Sequence, residues 1–196
     1  MKPVIFDVDG VLADFTAGFT ALASLMFPDF PVSRSVDQAT YHWEGLTKKQ
    51  VNEVWCTIDG LSSFWFDLPP LVDEDTFSCI YGFTSNIPVY FVTARPDSAK
   101  IETEGWLMKQ GVMRPTVITT KRKGEFAKAV GAGWCIEDKP SNASMVAWLT
   151  DGETKSYLLD RPYNRVSTEL LASDVTRIYT VNEYLEAISG TERHES

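Results

Sequence analysis

Histidine and cysteine are scarce in this sequence. His42 and His194 are its two histidines, which argues against a histidine-rich zinc site. Cys56, Cys79 and Cys135 are odd in number and widely spaced, with no CxxC pair. Free, buried thiols in a reducing compartment are therefore expected. No uninterrupted apolar run reaches the roughly 18–20 residues that cross a bilayer. The start runs from Lys2 straight into Val4-Ile5-Phe6 and then Asp7, too soon acidic for a signal peptide. A cytoplasmic protein without a membrane partner is the expectation. Basic residues are also in deficit, 18 against 27 acidic ones, for a net charge of −9. That balance argues against long nucleic acid, whose backbone needs clustered Lys and Arg. It leaves room for a small anion, because one divalent cation and a few basic groups reverse the field locally.

What is present is an ordinary globular composition. The chain has 196 residues, 44% hydrophobic and 23% charged, enough for one domain plus a small insertion. Short apolar runs at 4–6, 89–92, 116–118, 134–136, 157–159 and 178–181 alternate with helix-like stretches. Several runs lack polar alternation, as strands covered on both faces do. One helix is expected from a cap at Asp97 or Ser98 to Gly111, and another from near Gly124 to Gly131. A third follows Ser141-Asn142 and a last follows Asn182. The alternation predicts an α/β fold with a parallel sheet. Residues 16–76 break the rhythm. Aromatic-rich segments, a helical stretch at 48–55 and Pro69-Pro70 predict a compact helical insertion after the first strand. The α/β core is then 1–15 with 77–190, and 191–196 is expected to be a disordered tail.

Four stations along this frame carry chemistry. Val4-Ile5-Phe6-Asp7-Val8-Asp9-Gly10 ends an apolar run in two aspartates spaced by two, so both carboxylates can point the same way as the chain turns at Gly10. Open parallel sheets bind ligands beyond the carboxyl ends of their strands, and adjacent carboxylates invite a hard cation such as Mg²⁺. Thr93-Ala94-Arg95-Pro96 delivers a hydroxyl and amides before a helix start, where phosphate oxygens are well received. Thr119-Thr120-Lys121-Arg122-Lys123-Gly124 offers a cation, with Lys121 and Lys123 both open as the functional one. Trp134-Cys135-Ile136-Glu137-Asp138-Lys139 ends a further apolar run in acids that would complete an all-oxygen cation site. Each station also has a plain reading: a solvated turn, a local hydroxyl bond, a basic loop or a helix cap. Their joint order, each station following an apolar run, favours catalysis.

In that order the stations resemble motifs I to IV of the haloacid dehalogenase (HAD) superfamily, over roughly residues 3–188. The resemblance implies a Rossmann-like core with a small helical C1 cap at 16–76. It implies Asp7 as nucleophile and Asp9 as general acid/base. Thr93 and Lys123 would stabilise the phosphoryl group, and Mg²⁺ would be held by Asp7, Asp138, supporting Glu137 and the Asp9 backbone carbonyl. Lys123 fits the usual interval before motif IV better than Lys121 does.

Within the superfamily the sequence looks most like the 5'(3')-deoxyribonucleotidases. The similarity lies in Asp7-Val8-Asp9-Gly10-Val11-Leu12-Ala13-Asp14-Phe15, Phe64-Trp65-Phe66-Asp67-Leu68-Pro69-Pro70-Leu71, Glu137-Asp138-Lys139-Pro140 and Asp160-Arg161-Pro162-Tyr163-Asn164. It departs from the animal enzymes at Thr93-Ala94-Arg95-Pro96, in a longer interval from Lys123 to Asp138, and in opening motif IV with Glu. The likeness implies hydrolysis of (deoxy)ribonucleoside monophosphates, with Phe15, Phe64 and Trp65 forming a base pocket and Thr93, Ala94, Arg95 and Lys123 contacting substrate. The alternatives are a phosphatase of another small metabolite or of nucleic-acid 3' ends, and a non-catalytic nucleotide-binding protein. A homodimer is compatible with the sequence.

Overall fold

A computed structural model describes residues 2–29, 36–37, 42–43, 45–61, 63–165 and 171–192. In chain order its elements are β1 (Val4–Asp7), α1 (Phe15–Met26), β2 (Val36–Asp37), β3 (His42–Trp43), α2 (Lys48–Gly60) and α3 (Glu74–Phe83). Then come β4 (Val89–Thr93), α4 (Lys100–Lys109), β5 (Thr116–Thr119), α5 (Lys123–Val130), β6 (Trp134–Glu137), α6 (Pro140–Leu149), β7 (Lys155–Leu159), β8 (Val175–Ile178) and α7 (Val181–Glu192).

β1 is buried along its whole length, and so is β6, because neither presents a polar face. Such strands belong at the centre of a sheet covered on both sides. The six-stranded sheet has the order β5-β4-β1-β6-β7-β8, and every pairing in it is parallel. From β1 the chain goes to β4 and β5, then crosses back over β1 to β6 and moves outward the other way. Connections therefore leave β1 and β6 in opposite directions, which opens a crevice past their carboxyl ends. Phe6, Phe91, Trp106, Leu107, Tyr184 and Ile188 are fully buried within the main apolar core. The Tyr184 hydroxyl, which such burial requires to be bonded, donates to Ile5 O at 3.0 Å.

The helix ends follow local chemistry. Asp14 caps α1 by accepting from Ala17 N, and Asp73 caps α3 by accepting from Thr76 N, with Glu74 and Asp75 favourably placed in its first turn. Thr47 and Gln50 form a reciprocal capping box on α2. Gly131 closes α5 at φ 61°, a left-handed conformation that glycine adopts without strain.

Several expected boundaries shift. The insertion is not wholly helical: β2 and β3 form a short antiparallel pair between α1 and α2, and α2 runs on to Gly60. Asp97 and Ser98 lie inside a 3₁₀ turn (Asp97–Ala99) that precedes α4, and neither side chain caps it. α6 opens at Pro140, whose missing N–H costs nothing at a first helical position, so Ser141 and Asn142 are inside the helix. The last strand ends at Ile178, and the next helix begins at Val181, before Asn182. Of the expected tail, 191–192 continue α7 and 193–196 lie outside the described residues. Cys135 is buried as expected, but Cys56 and Cys79 are free and exposed, each on the solvent face of its helix.

The insertion is tied to the sheet where it leaves and returns. Asp14 N donates to Pro69 O at 2.8 Å, and Leu71 N to Leu12 O at 2.7 Å. The indole N–H of Trp106 on α4 donates to Leu68 O at 2.7 Å.

Candidate active site

β1 and β6 end side by side, and their terminal acids meet there. Asp7, Glu137 and Asp138 each offer a carboxylate oxygen within 4.8 Å of the others, and all three residues are buried. Lys123, the first residue of α5, reaches into the same cluster. Its ammonium lies 2.7 Å from Asp7 Oδ1 and 2.9 Å from Glu137 Oε1, with side-chain exposures of 3%, 6% and 0%. Lys121 is exposed, so of the two lysines it is Lys123 that enters the cluster. Asp7 Oδ1 also accepts from Val8 N at 2.6 Å. Asn142 donates to Glu137 Oε2 at 3.1 Å from the first turn of α6.

Three carboxylates against one ammonium leave the cluster negative. Burial, with Asp7 nearby, pushes the Asp138 carboxyl up to about 7 and raises that of Glu137 well above its usual range. Lys123 is raised: its burial opposes the charged form, but the Asp7 and Glu137 carboxylates outweigh it. Asp138 Oδ1 is buried with no hydrogen-bond donor among the described residues. An all-oxygen donor set with excess negative charge and an unpaired buried carboxylate oxygen fits a hard divalent cation.

Asp9 faces a different partner. Its carboxylate is bound on both oxygens by Arg95, Oδ2 by Nε at 2.9 Å and Oδ1 by Nη2 at 2.7 Å. Arg95 is itself pinned by Thr103 Oγ1 at 2.9 Å and lies over the Trp65 ring, 4.7 Å from its centroid. The carboxylates that converge are thus Asp7, Glu137 and Asp138, while the Asp9 side chain belongs to an adjoining ion pair. Asp9 lies just before the turn at Gly10, and its carboxylate meets Arg95, two residues past the end of β4. Thr93, at the end of β4, is buried; its hydroxyl lies 3.5 Å from Asp9 Oδ2 and accepts from Arg95 N at 3.2 Å.

Two cavities meet over this cluster. The inner one, about 110 Å³, is lined by Asp7, Asp9, Arg95, Lys123 and Asp138, with Phe15, Trp55 and Trp65 among its walls. The outer one, about 1290 Å³, lies between the insertion and the sheet. Trp43, Leu46, Val51 and Trp55 face Ala94, Pro96 and Thr120 across it, with Lys48, Lys121 and Lys139 on its walls. Of the three aromatics expected to hold a base, Phe15 and Trp65 reach the inner cavity and stack on each other, with ring centroids 5.7 Å apart. Phe64 packs edge-on against Trp65 at 5.1 Å and lines neither cavity. Trp43 and Trp55 also line the outer cavity: Trp55 lies in a helical stretch, where an aromatic looks the same whether it faces core or cleft, and Trp43 in a strand too short to show a pattern.

No family model matches the sequence, and no curated protein matches it. Solved structures do. A HAD-family hydrolase from Deinococcus radiodurans R1 with bound phosphate and sodium has a TM-score of 0.67 at 9% identity, covering 97% of this chain and 96% of that one. A structure from Lactobacillus delbrueckii subsp. bulgaricus, ascribed to a phosphoglycolate phosphatase, has a TM-score of 0.63 at 17% identity, covering 96% and 99%. L-2-haloacid dehalogenase from Xanthobacter autotrophicus with covalently bound chloropropionic acid has a TM-score of 0.61 at 10% identity, covering 97% and 99%. The chain has the Rossmann-like α/β fold of the haloacid dehalogenase-like hydrolases.

Proposed function

We propose that this chain is a Mg²⁺-dependent phosphomonoesterase that transfers the phosphoryl group to Asp7 and acts on (deoxy)ribonucleoside monophosphates. The observation that carries the reading is the buried convergence of Asp7, Lys123, Glu137 and Asp138 beneath a cleft. Bound among Asp7, Glu137 and Asp138, Mg²⁺ would neutralise the phosphate and polarise its oxygens. Lys123 and Val8 N engage Asp7 through Oδ1, which leaves Oδ2 to attack phosphorus in line. Asp9 gives a proton to the departing alkoxide, then takes one from the water that cleaves the aspartyl-phosphate. Arg95 fixes the orientation of Asp9, and Thr93 donates to a phosphate oxygen.

The cavity sizes support a divided substrate. At about 110 Å³ the inner space suits a phosphoryl group alone, while the outer 1290 Å³ has room for a nucleoside. Base stacking then falls to the cleft aromatics, Trp55 foremost, where such contacts are worth about 1–3 kcal/mol per base. Phe15 and Trp65 continue that aromatic wall into the inner cavity, and Phe64 supports Trp65 from behind.

The test is phosphate release from a panel of 5'- and 3'-nucleoside monophosphates, sugar phosphates, phosphoglycolate and 3'-phosphorylated oligonucleotides, with Mg²⁺ or with EDTA. Mg²⁺-dependent release that is highest for the nucleotides is expected. Release from every other class in preference to nucleotides would discard the substrate assignment, and release undiminished by EDTA would discard the cation. Asp7→Asn should lower kcat roughly a thousandfold or more.

A further inference from the structure

The segment after β7 does something that neither the four stations nor the cleft explains. It reaches from the outer half of the sheet back over the crevice and grips both loops that carry the carboxylates. Arg161 donates to Gly10 O at 2.7 Å and to Val11 O at 3.4 Å, on the loop after β1. Asn164 is fully buried and donates to Asp138 O at 2.8 Å, on the loop after β6, and to Leu159 O at 2.7 Å, at the end of β7. Arg177 of β8 steadies the bracket from behind through Asp160 Oδ1 and Asn164 Oδ1, each at 2.8 Å. Between these anchors the Tyr163 hydroxyl donates to Asp138 Oδ2 at 2.6 Å.

We infer that Tyr163 is a positioning residue that holds the Asp138 carboxylate in its cation-binding orientation. The inference rests on the proposed cation site at Asp7, Glu137 and Asp138. The Tyr163 bond takes up Oδ2, so the rotation of the carboxylate is fixed and the buried Oδ1, without a hydrogen-bond partner among the described residues, is the oxygen left for a cation. Buried oxygens of a ligating carboxylate need such an outer partner to keep their aim. Gly10 gives independent support. It stands at φ +80°, and a Cβ there would lie 2.1 Å from Asp138 Oδ2 and 2.6 Å from Tyr163 Oη. The backbone of the loop after β1 thus packs directly against this hydrogen bond, where any side chain at position 10 would displace the pair. Burial and the neighbouring Asp138 raise the Tyr163 phenol above its ordinary value, in keeping with its place as the donor in this bond.

Tyr163→Phe removes one oxygen from a half-buried side chain and retains the ring, so the fold should survive. Mg²⁺ binding to wild type, Tyr163→Phe and Arg165→Ala is measured by calorimetry, with thermal unfolding in EDTA and Mg²⁺-dependent turnover alongside. Arg165 is the control: it sits in the same segment, pairs with Asp160 and does not touch Asp138. Tyr163→Phe should weaken Mg²⁺ binding about tenfold or more. Its Tm in EDTA and its kcat at saturating Mg²⁺ should remain near wild type, and Arg165→Ala should bind Mg²⁺ normally. Unchanged affinity in Tyr163→Phe, or equal weakening in Arg165→Ala, would overturn the role of Tyr163 and leave the cation site standing. Wild type that binds no Mg²⁺ would overturn both.

Discussion

At the scale of single residues, the balance of charge around Lys123 is decisive. Its ammonium is the one cation within reach of Asp7 and Glu137 among the described contacts, and all three side chains are shut off from water. Removing one partner of a buried ion pair costs about 3–5 kcal/mol, because the other charges remain without compensation. Lys123→Met should therefore lower the unfolding free energy by about that amount in EDTA, read from urea denaturation, and saturating Mg²⁺ should recover part of it. Stability indistinguishable from wild type would mean the cluster is not charged in the folded state. Such a residue is legible in the sequence only as a choice: Lys121 and Lys123 flank the same turn, and which one enters depends on where α5 begins. Tyr163 was visible within a segment similar to the deoxyribonucleotidases, but nothing in its local pattern pointed to Asp138, 25 positions earlier. Long-range side-chain pairs leave no local periodicity to read.

At the scale of elements, the site depends on how closely α5 packs on α6. Gly124, next to Lys123, is buried against α6; a Cβ there would meet Leu149 Cδ1 at 2.8 Å and Met145 O at 3.0 Å. Met145 O is backbone and cannot move aside without shifting the helix. Gly124→Val should cost about 1–3 kcal/mol through overpacking and should displace Lys123 with it. The check is a paired measurement of urea midpoint and kcat, in which both fall. A loss of stability with full kcat would show that Lys123 is held by something other than helix contact. The strands were the most legible elements, because 4–6, 89–92 and 134–136 are apolar without alternation and only a doubly covered sheet accommodates them. Helix starts were less so. Asp97 and Ser98 have capping chemistry but sit in a 3₁₀ turn, since Pro96 sets the backbone before them. The small β2–β3 pair has two residues in each strand, too short to register any pattern.

For the whole molecule, the acids at the end of the sheet couple folding to pH and, on the proposed function, to a bound cation. The folded-state carboxyls of Asp138, up to about 7, and Glu137, also raised, stand above their unfolded values of 3.8 and 4.5. Between about pH 4 and 7 the folded chain thus keeps protons that the unfolded chain has already released. The contribution of these two carboxyls to the stability of the cation-free protein falls as pH rises through that window. Lys123, raised, stays charged throughout and does not change this sign. A divalent cation replaces the missing protons, so Mg²⁺ should raise Tm more at pH 8 than at pH 5, as differential scanning fluorimetry would report. An equal shift at both values would place cation binding elsewhere. The cleft over these acids is also a property of the whole, formed where an insertion anchored at 12–14 and 69–71 leans over the crevice between β1 and β6. Its position followed from the order of the motifs, whereas its lining did not, because Trp43 and Trp55 acquire their facing only when α1, α2 and the sheet are packed. The most direct measurement of the central claim is rapid acid quench during turnover of a nucleoside monophosphate with Mg²⁺, followed by peptide mass spectrometry. A phosphoryl adduct on Asp7, absent when EDTA replaces Mg²⁺, is the predicted result; full turnover with Asp7 never modified, or the adduct on another residue, would contradict it.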